Sequence, residues 1–271
     1  MRHLHVGVAQ VQSRVGDPWG NLARMHKQIQ AGAAVGVNVL LFAETAIHAY
    51  DMSPENLALA EPLGGPLSQQ VSAWAAQYHM VILAGMLERD GEAIYNAQLI
   101  AYPDGRMARA RKHYLTAIEI EGGLAVGERK RLLYDIHGVT CAVLICADNG
   151  IEGIHAELIA QGAEYCFMPT AGGGKREEYI HLADLDAPDG RANYTEDRQR
   201  VFKTDAILSA EESQFPGWAA ANALGDDGRN MVHHGHCMIV DTQRVMRAQI
   251  PGTNVVEHFL DQMVHAVVYF K

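Results

Sequence analysis

Nine apolar runs of strand length, set apart by turns or by stretches with helical spacing, constrain the fold of this chain more than any other feature. They fall at Val6–Val11, Val39–Phe42, Val81–Leu87, Ala97–Tyr102, Val139–Ile145, Tyr165–Met168, Trp218–Ala221, Met238–Val240 and Ala266–Phe270. Runs this short and this apolar read as buried strands. Between them, Asn21–Ala34 places Leu22, Met25, Ile29 and Ala33 on one face, with Asn21 available as its cap, and Leu67–Tyr78 gathers Val71, Trp74, Ala75 and Tyr78. Ile154–Ala160, stopped by Gly162, and Arg198–Ala210, carrying Val201, Phe202, Ala206 and Leu208, read as further helices. Strands alternating with helices suggest βαβ units. Yet Val81–Leu87 and Ala97–Tyr102 are separated by Glu88-Arg-Asp-Gly-Glu, a hairpin turn, and Pro103-Asp-Gly105 offers another. An α/β fold with mixed sheets follows, and periodicity alone leaves a Rossmann-like layout open.

Composition favours one large core. Of 271 residues, 48% are apolar and 20% charged, and no flexible linker or charge block divides the chain, so a single domain over residues 1–271 is expected. The formal net charge of -10 argues against nucleic-acid and anionic-membrane partners, which need a basic face. The clusters Arg109-Ala-Arg-Lys-His113 and Glu128-Arg-Lys-Arg131 are short and read as solvated surface. Met1-Arg-His-Leu-His runs straight into a strand, and no apolar stretch approaches the roughly 20 residues that span a bilayer. A soluble cytoplasmic protein is expected. Cys141, Cys146, Cys166 and Cys237 lack paired CxxC spacing and read as free thiols.

Three side chains carry the chemistry. Glu44 follows Val39-Leu-Leu-Phe-Ala, Lys112 stands in Ala110-Arg-Lys-His, and Cys146 follows Val143-Leu-Ile. Taken singly, each has an ordinary reading: a helix-capping acid, a solvated lysine, a small core residue. The apolar run before Glu44, however, would bury its carboxylate and demand a partner. Cys146 is followed at once by Ala147-Asp-Asn-Gly150, a polar turn that would lift its thiol out of the core, unlike the other three cysteines. A thiol attacking a carbonyl or nitrile carbon needs a base for its proton and a positive group for the charge that develops. Glu and Lys supply both, and a nearby ammonium favours the thiolate.

In order and separation, these residues resemble the Glu-Lys-Cys triad of the nitrilase superfamily of carbon-nitrogen hydrolases. The likeness extends along the chain. His5-Val-Gly-Val-Ala-Gln-Val and Asp17-Pro-Trp-Gly-Asn21 resemble the family's first strand and the entry to its first helix. Arg111-Lys-His-Tyr-Leu115, Val139–Cys146, Ile159–Pro169, Gly217–Asn222 and His234–Asp241 resemble the lysine stretch, the cysteine strand and three later segments. The resemblance implies a nitrilase-like α-β-β-α sandwich. It also implies that Lys112 and the backbone N–H of Ala147 hold an oxyanion. Glu44 would take the thiol proton, pass it to the leaving amine and then activate water. A second family glutamate falls at Glu119 or Glu121, with spacing favouring Glu119, and Tyr50 and Thr170 fall at pocket-lining positions. The chain departs from the family at Ala147–Gly153, where a Pro-Glu pair commonly follows the cysteine.

Other motifs carry less. His233-His-Gly-His-Cys237 has zinc-ligand chemistry, but its members are too close in an extended segment to surround one ion, so no metal is expected. Gly172-Gly-Gly-Lys175 lacks the spacing and the Ser or Thr of a phosphate loop and reads as a flexible pocket rim; Asp184-Leu-Asp-Ala-Pro-Asp-Gly-Arg reads as an exposed loop. The expectation is a cofactor-free cysteine amidase acting on a small-molecule amide or N-carbamoyl amide. The alternatives are a nitrilase working through a thioimidate and a catalytically silent binding or scaffold protein. A homodimer or larger homo-oligomer is expected, with Val264–Phe270 near the contact.

Overall fold

The computed structural model describes residues 1–128, 133–176, 179–189, 191, 213–228, 231–253 and 255–271. Two six-stranded mixed sheets dominate it. The first contains β1 (Arg2–Gln10), β2 (Val39–Phe42), β3 (Val81–Asp90), β4 (Ala93–Ala101), β5 (Met107–Arg111) and, closing the chain, β15 (Gln262–Phe270), in the order β15-β1-β2-β3-β4-β5. The second contains β6 (Tyr134–Ile136), β7 (Val139–Val143), β8 (Tyr165–Thr170), β10 (Trp218–Asn222), β13 (Cys237–Val240) and β14 (Met246–Ile250), in the order β14-β13-β10-β8-β7-β6. In each sheet, three parallel strands, β1-β2-β3 and β7-β8-β10, form the centre and antiparallel strands flank them. A small antiparallel sheet of β9 (Gly173–Lys175), β11 (Leu224–Asp226) and β12 (Met231–His234) extends from the ends of β8 and β10.

Period-two alternation sorts side chains into layers. Cys141 and Val143 of β7, Tyr165 and Phe167 of β8, Ala219 and Ala221 of β10, and Cys237 and Ile239 of β13 share one core with the first sheet. Their neighbours Ala142, Cys166, Met168, Trp218, Ala220, Met238 and Val240 form a second core with Ile154 and Leu158 of α5 (Ile154–Ala160). On the other side, α1 (Pro18–Ala34) and α3 (Pro66–Gln77) pack on each other and on the first sheet. The layers are α-β-β-α, as the resemblance implied. Each fully buried Leu, Ile or Phe in these cores contributes about 1.5–3 kcal/mol.

Several expectations need correction. Asp17, not Asn21, caps α1: its Oδ1 accepts from Gly20 N at 3.0 Å, and Pro18 occupies the first turn, where its missing N–H removes no helical bond. Asn21 is buried inside the helix and donates to Arg14 O and Ile47 O. The β3–β4 hairpin is tighter than expected, since Glu88–Asp90 continue β3 and only Gly91 and Glu92 turn. Gly173–Lys175 is strand β9, paired with β12, rather than a flexible rim. Strands β5, β6 and β14 were missed because they are short and alternate polar with apolar residues. The helix expected at Arg198–Ala210 lies outside the described residues.

Candidate active site

The ends of β2, β5 and β7 bring Glu44, Lys112 and Cys146 to one place. On β5, Ala108 and Ala110 pack on the core, so the strand period turns Lys112 onto the same inward face. Lys112 is fully buried, not part of a solvated cluster, and its Nζ donates to Glu44 Oε1 at 2.7 Å and to Glu119 Oε2 at 2.8 Å. Its basic neighbours are not simply solvated either: Arg111 Nε contacts Glu88 Oε2 at 2.8 Å, and the guanidinium lies 3.8 Å from the centre of the Tyr95 ring. An ammonium carries three donors. Two are bound to carboxylates, which leaves the third uncommitted.

Asn96 of β4 completes the charged cluster. Its Nδ2 donates to Glu44 Oε1 at 2.7 Å and to Glu119 Oε1 at 2.6 Å, and its carbonyl takes the backbone N–H of Lys112 at 2.8 Å. Glu119 lies in the first turn of the short helix α4 (Ala117–Glu121), where Oε2 also accepts from Thr116 N and Thr116 Oγ1. Glu121, the other acid considered for this position, is exposed. With one ammonium between two buried carboxylates, burial raises the Glu44 pKa and Glu119 adds to the effect, while Lys112 and Asn96 oppose it. Burial alone would lower the Lys112 pKa, but Glu44 and its neighbours more than offset that and hold it charged. Glu44 Oε2 has no nitrogen or oxygen partner, and the Cys146 thiol is near enough to the Glu44 carboxylate for the two to act on each other.

Cys146 differs in character. It begins a 3-10 turn, Cys146–Gly150, with φ of 48°, a left-handed conformation that costs a non-glycine residue roughly 1–2 kcal/mol. Asp148 clamps this turn. Its Oδ1 accepts from His113 N at 3.0 Å and Tyr114 N at 2.8 Å, and its Oδ2 accepts from Ile145 N at 3.3 Å. The cysteine turn is thereby tied to the segment that carries Lys112. Cys141, Cys166 and Cys237 are buried, whereas Cys146 is only partly so, and all four are free thiols. Burial pushes the Cys146 thiol up to about 12, helped by the Glu44 charge and opposed by Lys112 and the Ala171 N–H. The expected thiolate-favouring effect of Lys112 is therefore present but outweighed.

The remaining candidates surround these three. Tyr50 Oη shares a 2.8 Å hydrogen bond with Thr116 Oγ1, and its ring centre lies 5.7 Å from Lys112 Nζ. Thr170, at the end of β8, accepts the Glu44 N–H through its carbonyl at 3.3 Å, which joins the two sheets at the site. Ala147 follows Cys146 in the turn. Gly85 of β3 went unnoticed in the sequence: a Cβ there would lie 2.1 Å from Thr45 N and 2.4 Å from Ala43 O. Only glycine lets the backbone on either side of Glu44 approach β3 this closely. Asn96 and Asp148 were also missed: Asn96 is a polar residue in a largely apolar strand, and Asp148 stood out only as part of the polar turn after Cys146. Among the described residues, no group of three His, Cys, Asp or Glu side chains is placed to hold a metal ion. No described helix is long and apolar enough to cross a membrane.

The family profile described as Carbon-nitrogen hydrolase matches residues 5–255. A hydrolase from the pqqF 5' region of Pseudomonas protegens is 33% identical over 175 residues, and the match covers 63% of this chain but only 60% of that protein. An (R)-stereoselective amidase from a Pseudomonas species is 27% identical over 240 residues, covering 88% of this chain and 77% of that protein. Among solved structures, XC1258 from Xanthomonas campestris is described as a CN-hydrolase superfamily protein with an arsenic adduct in its active site. It shares the fold with a TM-score of 0.75 at 20% identity, covering 99% of this chain and 91% of that one.

Proposed function

We propose, starting from the fact that the chain belongs to the carbon-nitrogen hydrolase family, that it is a cysteine-dependent amidase acting on a small-molecule amide or N-carbamoyl amide. The observation that carries this reading is the buried Glu44–Lys112–Glu119 cluster, with one carboxylate oxygen and one ammonium donor uncommitted, beside a thiol held on a strained turn. Because the Cys146 pKa is pushed up to about 12, the resting enzyme holds a thiol at neutral pH, and proton removal must accompany attack. Glu44 Oε2 takes that proton as Sγ bonds to the carbonyl carbon. Lys112 Nζ and the Ala147 N–H hold the resulting oxyanion. Collapse breaks the C–N bond; the amine leaves with the proton from Glu44, and a thioester remains on Cys146. Glu44 then takes a proton from water, which attacks the thioester and restores the thiol. Glu119, Asn96 and Thr116 keep Lys112 aimed, and Tyr50 and Thr170 shape the pocket.

The reaction uses no metal or organic cofactor, and residues 1–271 work as one domain in the cytoplasm. We also propose a homodimer or larger homo-oligomer in which β15 lies near the contact, since Val267 and Tyr269 stand exposed on it; light scattering that gives monomer mass alone would refute this. The reaction is tested by measuring ammonia or amine release from matched amides, N-carbamoyl amides and nitriles. Turnover of amides by the native enzyme and none by Cys146→Ala is the expected result. Turnover of nitriles alone would replace the amidase reading with a nitrilase, and no turnover of any class would favour a silent binding protein.

A further inference from the structure

We infer that His233 is a substrate-recognition residue: its Nε2 accepts a hydrogen bond from a hydroxyl or N–H group on the acyl part of the substrate. This deepens the amidase reading above and rests on it. His233 lies on β12, outside the proposed catalytic set, and is 3% exposed. Its Nδ1 is 3.3 Å from the carbonyl oxygen of Gly172. A carbonyl can only accept, so the proton resides on Nδ1 and Nε2 presents a lone pair. Burial lowers the pKa of the ring and outweighs the Asp227 charge and the Gly172 and Ala171 carbonyls, which raise it, so the neutral form is favoured. Nε2 is buried without any hydrogen-bond partner.

The surroundings place the His233 ring against a residue that adjoins the reacting groups. The His233 ring meets the Tyr50 ring edge-on at 6.5 Å, and Tyr50 in turn covers Lys112 Nζ. Gly172 follows Ala171, whose N–H acts on the Cys146 thiol. Asn222 fixes Gly172 from both sides, with Oδ1 accepting its N–H at 2.7 Å and Nδ2 donating to its carbonyl at 3.1 Å. The imidazole therefore sits on a rigid support. The nearby His236 is different, since its Nε2 already meets Gln249 Nε2 at 3.1 Å. A dry, unpaired acceptor this close to the reacting groups would select for a donor and penalise groups that can only accept.

The test compares amides whose acyl chains end in a hydroxyl or in a near-isosteric fluorine, which cannot donate, across a ladder of chain lengths. The native enzyme should favour the hydroxyl compound at the matching length by about 10- to 100-fold in kcat/KM. His233→Leu should bring the ratio close to one, and His233→Gln, which can present a carbonyl acceptor, should keep part of it. A purely structural histidine would lower both rates and leave their ratio alone. Equal rates for the native enzyme at every length would overturn the inference while leaving the amidase reading intact, as would a preference that survives in His233→Leu. If His233→Leu does not fold, the native ratio and the Gln variant still decide the question. Failure of the native enzyme to hydrolyse any amide would overturn both.

Discussion

The two sheets contribute unlike halves to the site. The first supplies Glu44, Lys112 and Asn96 from the ends or interior of its strands, and the chain leaving β5 adds Glu119. All four are buried and bonded to one another. The second supplies Cys146 on a left-handed turn that is only partly buried and is held from the side by Asp148. The charged half gains its position from a closed hydrogen-bond network, which low dielectric makes strong when complete and costly when broken. The thiol half gains its position from backbone geometry. Damage should therefore propagate differently: loss of a charged member should disturb fold and chemistry together, whereas loss of the thiol should disturb chemistry alone.

The sharpest way to break that contrast is Lys112→Ala. It leaves two carboxylates facing each other without a cation, so stability should fall by about 3–5 kcal/mol, read from urea unfolding, and acylation should slow by on the order of a thousandfold. A stable variant would mean that the cluster is less closed than its distances indicate. Glu44→Gln comes next. Turnover should drop by about a hundredfold or more, yet iodoacetamide should label Cys146 faster at a given pH. The sign follows from the cause: the Glu44 charge raises the thiol pKa, so its removal lowers that pKa and increases the thiolate fraction. Lys112→Ala should shift labelling the opposite way, because the ammonium lowers the same pKa. In the native enzyme, labelling should climb as pH rises toward about 12. Movement of both variants in one direction would show that the halves are not coupled by charge.

Gly85→Ala tests position without touching chemistry. The added methyl collides with the backbone on either side of Glu44, and a shift of that carboxylate by about 1 Å should reduce turnover by on the order of a hundredfold, since misplacement of this size is costly in a preorganised site. Unchanged kinetics would place Gly85 outside the site's support. Asp148→Asn should have the smallest effect, because an amide oxygen can still accept from His113 and Tyr114 and only the longer 3.3 Å bond from Ile145 N is lost. A loss of about 1 kcal/mol in stability is expected, with less than about a tenfold change in rate. A larger loss of rate would mean that the charge on Asp148, and not only its hydrogen bonds, acts on the thiol.

The contrast between the halves also explains what could be read from the sequence. Glu44 and Cys146 stand at the ends of apolar runs, and the strand period that buries such runs delivers their last residues to one edge, so both were visible. Lys112 was visible only through resemblance; alone it read as surface, because its burial depends on alternation in β5, a strand too short and too rich in arginine to recognise. Asn96 and Asp148 act across 23 to 52 and across 34 to 35 residues of chain, respectively, and no local pattern encodes partners so distant. Gly85 was hidden for a different reason. Its role is the space it leaves for another strand's backbone, which becomes apparent only once the strands are paired. The central parallel strands were legible because they are apolar on both faces, whereas the short edge strands were not.

The central claim is that these halves meet in a covalent intermediate on Cys146. Rapid acid quench of the native enzyme during turnover of an amide, followed by peptide mapping by mass spectrometry, measures this directly. The account predicts an adduct with the mass of the acyl group on the peptide containing Cys146, appearing before product and absent from Cys146→Ala. Continued amide hydrolysis by Cys146→Ala, or an adduct confined to a different residue, would contradict it.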